Sequence, residues 1–388
     1  MEIILNPLKE SSAAPQGAAP AAPQPAPLEK VAHTPETPVP ETPIPETPVP
    51  TIRESAHPPV EKKKKRKGGW IALIVLAALI GCILLVITHN WKERISTYPI
   101  NNPYITPYGV TLVSAHRSGG GIFPENTMMA FENCINADNF RTDIFEFDLH
   151  ITKDGELIIL HDDTLDRTTD SAYVFGISGA RPEGFTLNEL KKLNFGAGFT
   201  DDEGNTPYKD LHGGFVPENL RVATLTDVLD YLESNGGFRY VIEIKNKGEL
   251  GFSAADKLYA VLKEKDLLQK AVIGTFNGDV TQYMQKNYPD MLRSAGILEV
   301  MGFYIDSLFK IDRPEGYYKF TALQIPANQF FIKLGTPRLV NYAHKNGIAV
   351  QYWTINDVET MRYLKSINAD CVMSDVPDLA FSVLYEEG

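Results

Sequence analysis

From about residue 109 onward, short β-rich runs alternate with longer stretches, and this alternation constrains the fold more than any other feature of the sequence. Nine runs have the composition of strands: 111–115, 145–150, 157–160, 240–245, 272–276, 293–296, 322–325, 349–353 and 371–374. Only Thr-Lys-Asp-Gly-Glu at 152–156 separates the second and third runs, which suits a hairpin turn and is too short for a helix. Most of the other connections have room for a helix. The eight remaining strands therefore predict an α/β fold, a (β/α)8 TIM barrel over 109–388 with a small insertion after the second strand at about 152–221.

The N-terminal part of the chain has a different composition. Residues 11–60 are rich in Pro, Ala, Thr and Glu, and a five-residue unit beginning Pro-Glu-Thr-Pro repeats from positions 35, 40 and 45. Such a tract cannot bury enough apolar area to fold, so a disordered, Pro-rich tail is expected over 1–69. The tail acts as a solvated spacer or, alternatively, as a docking site for a proline-binding partner.

An uncharged apolar run of 18 residues, 71–88, follows a basic cluster at 62–67. A run of this length can cross a bilayer, which predicts a single transmembrane helix over 70–89. The basic cluster on its N-terminal side places the tail in the cytoplasm and the barrel domain outside the cell. A cleaved signal peptide and a buried core helix are the alternatives. The signal peptide is disfavoured because the run begins far from the N-terminus and lacks a small-residue cleavage pattern.

The formal net charge is −12, and residues 70–388 hold 28 Lys and Arg against 41 Asp and Glu. An acidic domain argues against nucleic acid as a partner, because phosphate backbones require basic tracks. A small phosphorylated ligand remains compatible if a divalent cation neutralises the site locally. The three cysteines imply no disulfide framework, and pairing of Cys134 with Cys371 is left open.

The second predicted strand carries two closely spaced acids. Period-2 alternation puts Glu146, Asp148 and His150 on one face, and two carboxylates so close together require a cation, a proton or solvent. A half-exposed strand with its polar face in water is the alternative. Glu243 in the next parallel strand supplies a third acid, and three oxygen ligands from neighbouring strands suit Mg²⁺ or Ca²⁺.

Two histidines are predicted to converge on these acids. A hairpin turn at Lys153 and Asp154 places His161 opposite Glu146 or Phe147. His116 ends the first predicted strand, where catalytic groups of barrels gather. A single histidine at a strand end is commonly a polar cap, but two histidines beside three acids indicate a functional site. Zinc bound by His and carboxylate ligands is an alternative, but no His-x-x-x-His or Cys-x-x-Cys spacing supports it.

Seven short motifs follow one another between about residues 110 and 380. They are His116-Arg117, Pro124-Glu-Asn-Thr127, Glu146-x-Asp148, Thr152-Lys-Asp-Gly155, His161-Asp-Asp-Thr-Leu-Asp-Arg-Thr-Thr169, Glu243-Ile-Lys245 and Trp353-Thr-Ile-Asn356. Together and in this order they resemble the glycerophosphodiester phosphodiesterases. The resemblance implies a barrel with a small insertion after the second strand, in agreement with the strand count.

The resemblance also implies roles for the acids and histidines. Glu146, Asp148 and Glu243 would be metal ligands, and His116 and His161 would form a general acid/base pair. Two histidines with a pKa near neutrality and one divalent cation can together protonate a leaving alkoxide and neutralise charge on a phosphodiester.

Arg117 and Lys245 are implied to contact the phosphate, although Lys245 could instead pair with a neighbouring acid. The sequence departs from the family pattern directly after Arg117, where Ser118-Gly-Gly-Gly121 stands in place of a single expected glycine. This loop lies where the substrate would bind. The departure therefore affects the prediction of the substrate more than the prediction of the reaction.

Four further residues receive weaker predictions. Glu125 and Asn126 open the predicted first helix, where they cap its N-terminus or hydrogen-bond to groups of the site. Trp353 packs in the core or against the organic part of the substrate. His150 is expected to reach solvent or the rim of the site.

These observations favour metal-dependent hydrolysis of small or lipid-derived glycerophosphodiesters to glycerol phosphate and an alcohol. Hydrolysis of lysolipids by the same chemistry, of the lysophospholipase D type, is one alternative. A catalytically inactive surface domain retained for binding is another. The intact set of acids and histidines favours an enzyme, because an inactive domain would be free to lose some of them.

Overall fold

The computed structural model describes residues 68–88, 93–330 and 332–386. All but the last two residues of the predicted Pro-rich tail lie outside the described residues, as does the basic cluster. Helix α1 covers Gly68–Thr88. In the part of the chain that is described, no helix combines the length and the hydropathy needed to cross a membrane. The structure thus gives no support to the transmembrane helix predicted over 70–89.

Seven parallel strands form the wall of a barrel, in the order β5-β4-β2-β1-β10-β9-β6. The strands are β1 Leu112–Ala115, β2 Ile144–Ile151, β3 Leu157–Ile159, β4 Arg239–Ile244, β5 Ala271–Gly274, β6 Ala322–Ile325, β7 Asn328–Gln329, β8 Ile332–Lys333, β9 Ala349–Tyr352 and β10 Cys371–Ser374. As predicted, β3 returns antiparallel on β2, with Leu149 opposite Ile159. β7 and β8 form a separate hairpin.

The predicted strand at 293–296 is not a strand in the structure, but its first two residues complete the wall. Arg293 bridges to Ile273 of β5 and Ser294 bridges to Ala322 of β6, both in parallel. The extended segment stops there because Gly296 caps the next helix and donates its backbone N–H to Glu299 Oε2 at 2.8 Å. The wall is therefore nearly closed, as expected for a TIM barrel.

Helices alternate with the strands and cover the outside of the wall. They are α2 Met128–Asn136, α3 Ser171–Phe175, α4 Leu187–Leu190, α5 Leu225–Ser234, α6 Gly248–Glu264, α7 Gly278–Asn287, α8 Ile297–Phe309, α9 Pro337–Lys345, α10 Val358–Ser366 and α11 Pro377–Phe381. A π-helical turn follows at Ser382–Glu386. Thr127, Thr224, Thr336 and Asp357 each accept a backbone N–H at a helix N-terminus. These local caps explain where α2, α5, α9 and α10 begin.

The interior of the barrel changes character along its axis. At the N-terminal ends of the strands it is filled by apolar side chains such as Ile144, Val241 and Val272. The next inward-facing positions along β2 are Glu146 and Asp148, while Phe145 and Phe147 face the helices. Polar groups therefore collect at the C-terminal end of the barrel.

The segment between β3 and α5 has its own small core. Ile158, Leu165, Leu190 and Phe195 are buried together there, apart from the main clusters. The segment carries α3 and α4 on the side of the barrel next to β2. Cys134 and Cys371, whose pairing the sequence left open, are both buried and free.

Candidate active site

Three carboxylates lie at the C-terminal end of β2 and β4. The parallel register sets Asp148 beside Glu243, and Glu146 beside Val241. The side chains of Glu146 and Asp148 are almost fully buried, with exposed fractions of 4% and 1%. The predicted half-exposed alternative for this strand is therefore wrong, and the acids need charge compensation inside the protein.

Burial and mutual repulsion disturb the ionisation of these acids. Burial and the charge of Asp148 raise the pKa of both Glu146 and Glu243. Burial acts in the same direction on Asp148, but the nearby charges of Lys245 and His161 outweigh it and lower the pKa of Asp148. The three carboxylates therefore compete for a limited amount of positive charge.

Lys245 supplies part of that charge. Its Nζ lies 3.0 Å from Glu243 Oε1 and 3.5 Å from Asp148 Oδ1. Asn126 donates its side-chain N–H to Asp148 Oδ2 at 3.0 Å, while its own Oδ1 is buried without a hydrogen-bond partner among the described residues. As they stand, no three His, Cys, Asp or Glu side chains in the described chain are placed to hold a metal ion.

His116 follows β1 directly and is held from behind by an acid. Its Nδ1 lies 2.6 Å from Asp375 Oδ1, and its Nε2 lies 3.9 Å from Glu146 Oε2. Burial lowers the pKa of His116, but the charges of Glu146 and Asp375 outweigh burial and raise it. Asp375 is itself fixed by Asn356, whose side-chain N–H donates to Asp375 Oδ2 at 2.7 Å.

His161 is likewise held by an acid. Its Nδ1 lies 2.6 Å from Asp162 Oδ1. The β2–β3 register, continued beyond Ile159, leads to Phe147 opposite His161, one of the two predicted positions. Burial lowers the pKa of His161 despite the opposing charge of Asp148. Both histidines thus have one ring nitrogen held by a carboxylate and the other left for a ligand.

One arginine, Arg167, connects the acid beside His161 with the acid beside Arg117. Arg167 makes two hydrogen bonds to Asp162, at 2.6 and 2.9 Å, and two to Glu125, both at 2.7 Å. Glu125 also accepts a hydrogen bond from Arg117 Nη1 at 3.3 Å. The acid that orients His161 and the acid that holds Arg117 are therefore fixed by the same guanidinium group.

The Arg117 backbone also belongs to the site. Arg117 has a φ of 49°, a left-handed conformation, and its N–H donates to Glu146 Oε2 at 2.6 Å. The backbone after β1 is thereby turned so that an N–H, a positive charge and an imidazole all face the buried acids.

The predicted rim position of His150 is wrong. The side chain is fully buried, and neither ring nitrogen has a partner among the described residues. Burial lowers its pKa. The chain around Pro182–Gly184 packs against β2, on which His150 lies.

The side chains around the acids enclose a cavity of about 200 Å³. One half of its lining is polar, with His116, Arg117, His161 and Lys245. The other half is largely apolar. It contains Phe276, Ile297, Val300 and Trp353. Trp353 is half-buried and meets the Phe276 ring edge to face at 5.8 Å, so it lines the cavity as well as packing in the core.

The residues that support the histidines were absent from the predicted site. Asp162 and Arg167 lie in the motif that begins at His161, and Asn356 ends the Trp353 motif. Asp375 directly follows the last strand, the position at which acids of a barrel face its active end. That position was the available signal for Asp375.

The chain is similar to proteins of one known family. Residues 116–379 match the model of the glycerophosphoryl diester phosphodiesterase family. A glycerophosphodiester phosphodiesterase from Caldanaerobacter subterraneus is 28% identical over 278 residues, which cover 72% of this chain and 99% of the relative. One from Bacillus subtilis is 27% identical, covering 70% and 86%.

Solved structures share the fold. The crystal structure of a glycerophosphodiester phosphodiesterase from Agrobacterium tumefaciens matches with a TM-score of 0.54 and 21% identity, covering 70% of this chain and 100% of that one. A phosphodiesterase from Oleispira antarctica, solved with the product sn-glycerol-3-phosphate, matches with a TM-score of 0.52 and 22% identity, covering 71% and 96%.

Proposed function

This chain belongs to the glycerophosphoryl diester phosphodiesterase family, and we propose that His116 and His161 act as general acid and base in its hydrolysis of glycerophosphodiesters. The products are glycerol phosphate and an alcohol. The observation that carries the proposal is the pair of histidines beside three clustered carboxylates, of which Glu146 and Asp148 are buried, each histidine with its Nδ1 2.6 Å from a carboxylate oxygen. Held in this way, each imidazole presents Nε2 to the cavity, one to activate the nucleophile and one to protonate the leaving alcohol.

A divalent cation, Mg²⁺ or Ca²⁺, is proposed to bind at Glu146, Asp148 and Glu243. The donor set fits such an ion because it consists of hard oxygen ligands, and burial together with mutual repulsion raises the pKa of Glu146 and Glu243. The unpartnered buried Oδ1 of Asn126 beside Asp148 is a further oxygen donor. When bound, the ion would neutralise charge on the nonbridging phosphate oxygens.

Arg117 and Lys245 are proposed to bind the phosphate. Both line the cavity between the two histidines. The Arg117 guanidinium is positioned by Glu125, and the Lys245 ammonium by Glu243 and Asp148. Their charges would orient the diester so that its leaving oxygen faces one imidazole.

The substrate is proposed to be a glycerophosphodiester, small or lipid-derived. The structural relative from Oleispira antarctica that holds sn-glycerol-3-phosphate supports the glycerol phosphate half. Hydrolysis of lysolipids is the second candidate, favoured by the apolar half of the cavity lining at Phe276, Ile297 and Val300.

The test is an assay of the purified chain on glycerophosphocholine, glycerophosphoglycerol and lysophosphatidylcholine, with identification of the product that carries the phosphate. We expect glycerol phosphate release that is lost on chelation and restored by Mg²⁺ or Ca²⁺. The Glu146→Gln variant, which keeps the shape and removes the charge, should not recover with either metal.

The contrary result is also informative. If no substrate is cleaved in the presence of either metal, the proposal fails and the binding-domain alternative takes its place. If cleavage persists after exhaustive chelation, the histidine proposal stands and the cation proposal fails.

We also propose that the chain is held at the cell membrane by the apolar run 71–88, with its N-terminus in the cytoplasm and the barrel domain outside. The support is the uncharged run itself and the basic cluster before it. Alkaline carbonate extraction of membranes tests the attachment, and protease treatment of intact cells tests the orientation. Release by carbonate would contradict the proposal.

A further inference from the structure

Helix α8 carries a row of large apolar side chains that no part of the described chain covers. Four are spaced at every fourth position, with Leu298 beside them, so that they form one stripe along the helix. The apolar face of α8 consists of Ile297 (55% exposed), Leu298 (80%), Met301 (56%), Ile305 (50%) and Phe309 (65%). Exposed apolar side chains are common singly, but a contiguous row of this kind marks an interaction surface.

The charged residues of α8 do not interrupt this face. The helix has two, and both are turned towards the barrel and paired. Glu299 makes two hydrogen bonds to Arg293, at 2.7 and 2.8 Å. Asp306 makes two to Arg313, both at 2.7 Å. The apolar face of α8 therefore presents neither charge nor fixed polar groups to a partner.

The face continues into the active site. Ile297 lines the catalytic cavity together with Val300, at the mouth of the barrel. Two neighbouring loops at the same C-terminal end add further exposed aromatic rings, Phe276 after β5 (54% exposed) and Phe330 after β7 (91%). One side of the mouth is thus bordered by apolar side chains that face outward.

The chain before the barrel approaches the other end of α8. Glu93 forms ion pairs with Lys310, the residue that follows α8, and with Arg338, each at 2.8 Å. The apolar run of the sequence ends at Thr88, five residues earlier, a stretch that spans at most about 18 Å. The apolar side chains of α1 are also uncovered, among them Leu73 (61% exposed) and Ile74 (64%).

From these contacts we propose that the apolar face of α8, with Phe276 and Phe330, is a docking surface for a lipid bilayer, so that the mouth of the catalytic cavity opens at the membrane. A lipid surface is the occupant that fits, because it matches an uncharged face without directional polar groups and because the apolar run of the chain ends next to it. Docking of this kind does not depend on which diester the enzyme cleaves.

The test places a fluorescent reporter on the face. In the full chain with Cys82→Ser, which removes the exposed cysteine and leaves Cys134 and Cys371 buried, Met301→Cys is labelled with an environment-sensitive dye. Ile177→Cys, at an apolar position of similar exposure (49%), is the matched control. Both are combined with phosphatidylcholine and phosphatidylglycerol vesicles that carry nitroxide-labelled acyl chains. We expect quenching of roughly half the fluorescence at position 301 and little at 177, as for a face buried in the acyl boundary.

A second variant controls for the label. Leu298→Glu with Ile305→Glu should abolish quenching at position 301 while the thermal unfolding curve stays unchanged. Equal quenching at 301 and 177 would overturn the proposal. So would an absence of quenching at 301, whether the chain stays in solution or pairs with a second copy, a pairing that disulfide formation in the unlabelled Met301→Cys variant would report.

Discussion

The two halves of the barrel mouth are built on opposite principles. On one side, after β1 and β3, His116, His161 and Arg117 are each held by a carboxylate within hydrogen-bonding distance. On the other side, around α8, the apolar side chains point outward without partners. The polar half is organised before a substrate arrives, as catalysis requires. The apolar half offers contact area but no directional hydrogen bonds. It therefore suits binding of an apolar surface or an apolar chain rather than contact with a reacting atom. The polar half would carry out the reaction, and the apolar half would determine the surface on which the enzyme is located.

The sharpest way to break this comparison is to remove a histidine of the polar half. His161→Asn should lower kcat by about 10²- to 10⁴-fold, because a general acid or base is lost while the hydrogen-bonding shape is partly kept. His212→Asn is the control, since His212 also pairs with an acid, Asp170 at 2.8 Å, but lies away from the cavity. Equal activity of the two variants would remove the catalytic role from the polar half.

A smaller effect is expected from Arg167→Ala. The arginine contacts neither the cavity lining nor the carboxylates on β2, but it fixes both Asp162 and Glu125. We expect kcat to fall roughly 10- to 100-fold, in the range of other supporting contacts. The charge of Asp162 would no longer be offset, so the pKa of His161 should rise and the pH–rate profile should move to higher pH.

Arg181→Ala is the matched control for this variant. Arg181 has a similarly exposed side chain, 46% against 47%, and also bonds to an acid, Glu183 at 2.6 Å. A fall in kcat without any change in the pH profile would indicate a purely structural role for Arg167.

On the apolar half, Phe276→Ala should alter recognition rather than chemistry. The ring packs on Trp353 at the cavity mouth and is half-exposed. Its loss should raise KM by about three- to tenfold for diesters with a long apolar alcohol, corresponding to roughly 1 kcal/mol of lost apolar contact. The KM for glycerophosphoglycerol and both kcat values should stay unchanged. A fall in kcat for both substrates would show that the two halves do not act separately.

The smallest effect is expected from a charge on the apolar face of α8. Leu298→Glu should change the free energy of unfolding by less than about 0.5 kcal/mol, because an 80% exposed side chain contributes little to packing. Phe303→Ala, on the buried side of the same helix, should cost about 3 to 5 kcal/mol. Chemical denaturation of both variants measures the difference. A large loss for Leu298→Glu would mean that the face is covered in the free protein.

The barrel was largely predictable because its signals are local. Period-2 alternation and β-branched runs located β2, β4 and β10 to within one or two residues. The segment at 293–296, Arg-Ser-Ala-Gly, was also predicted as a strand, but the cap formed by Gly296 and Glu299 ends it after two bridge residues. Capping competes with strand formation over only a few residues, and composition does not resolve that competition.

The buried acids were also predictable, since the parallel register places neighbouring inward positions side by side. Asp375 was not, because its partner His116 lies 259 residues away in the sequence. The burial of His150 depends on the segment that packs over β2, which periodicity within the strand does not report. The apolar face of α8 was equally hidden, because apolar residues occur on both sides of that helix and only the fold reveals which side is covered.

Because Asp375 orients His116, this part of the site can form only after nearly the whole chain has been synthesised. The first strand of the barrel provides the imidazole, and the residue after the last strand provides the acid that orients it. A chain still emerging from the ribosome has synthesised both histidines and all three carboxylates long before residue 375. Until β10 pairs with β1, the His116 ring lacks the acid that orients it. If His116 acts as proposed, unfinished chains and chains truncated before residue 375 should lack activity.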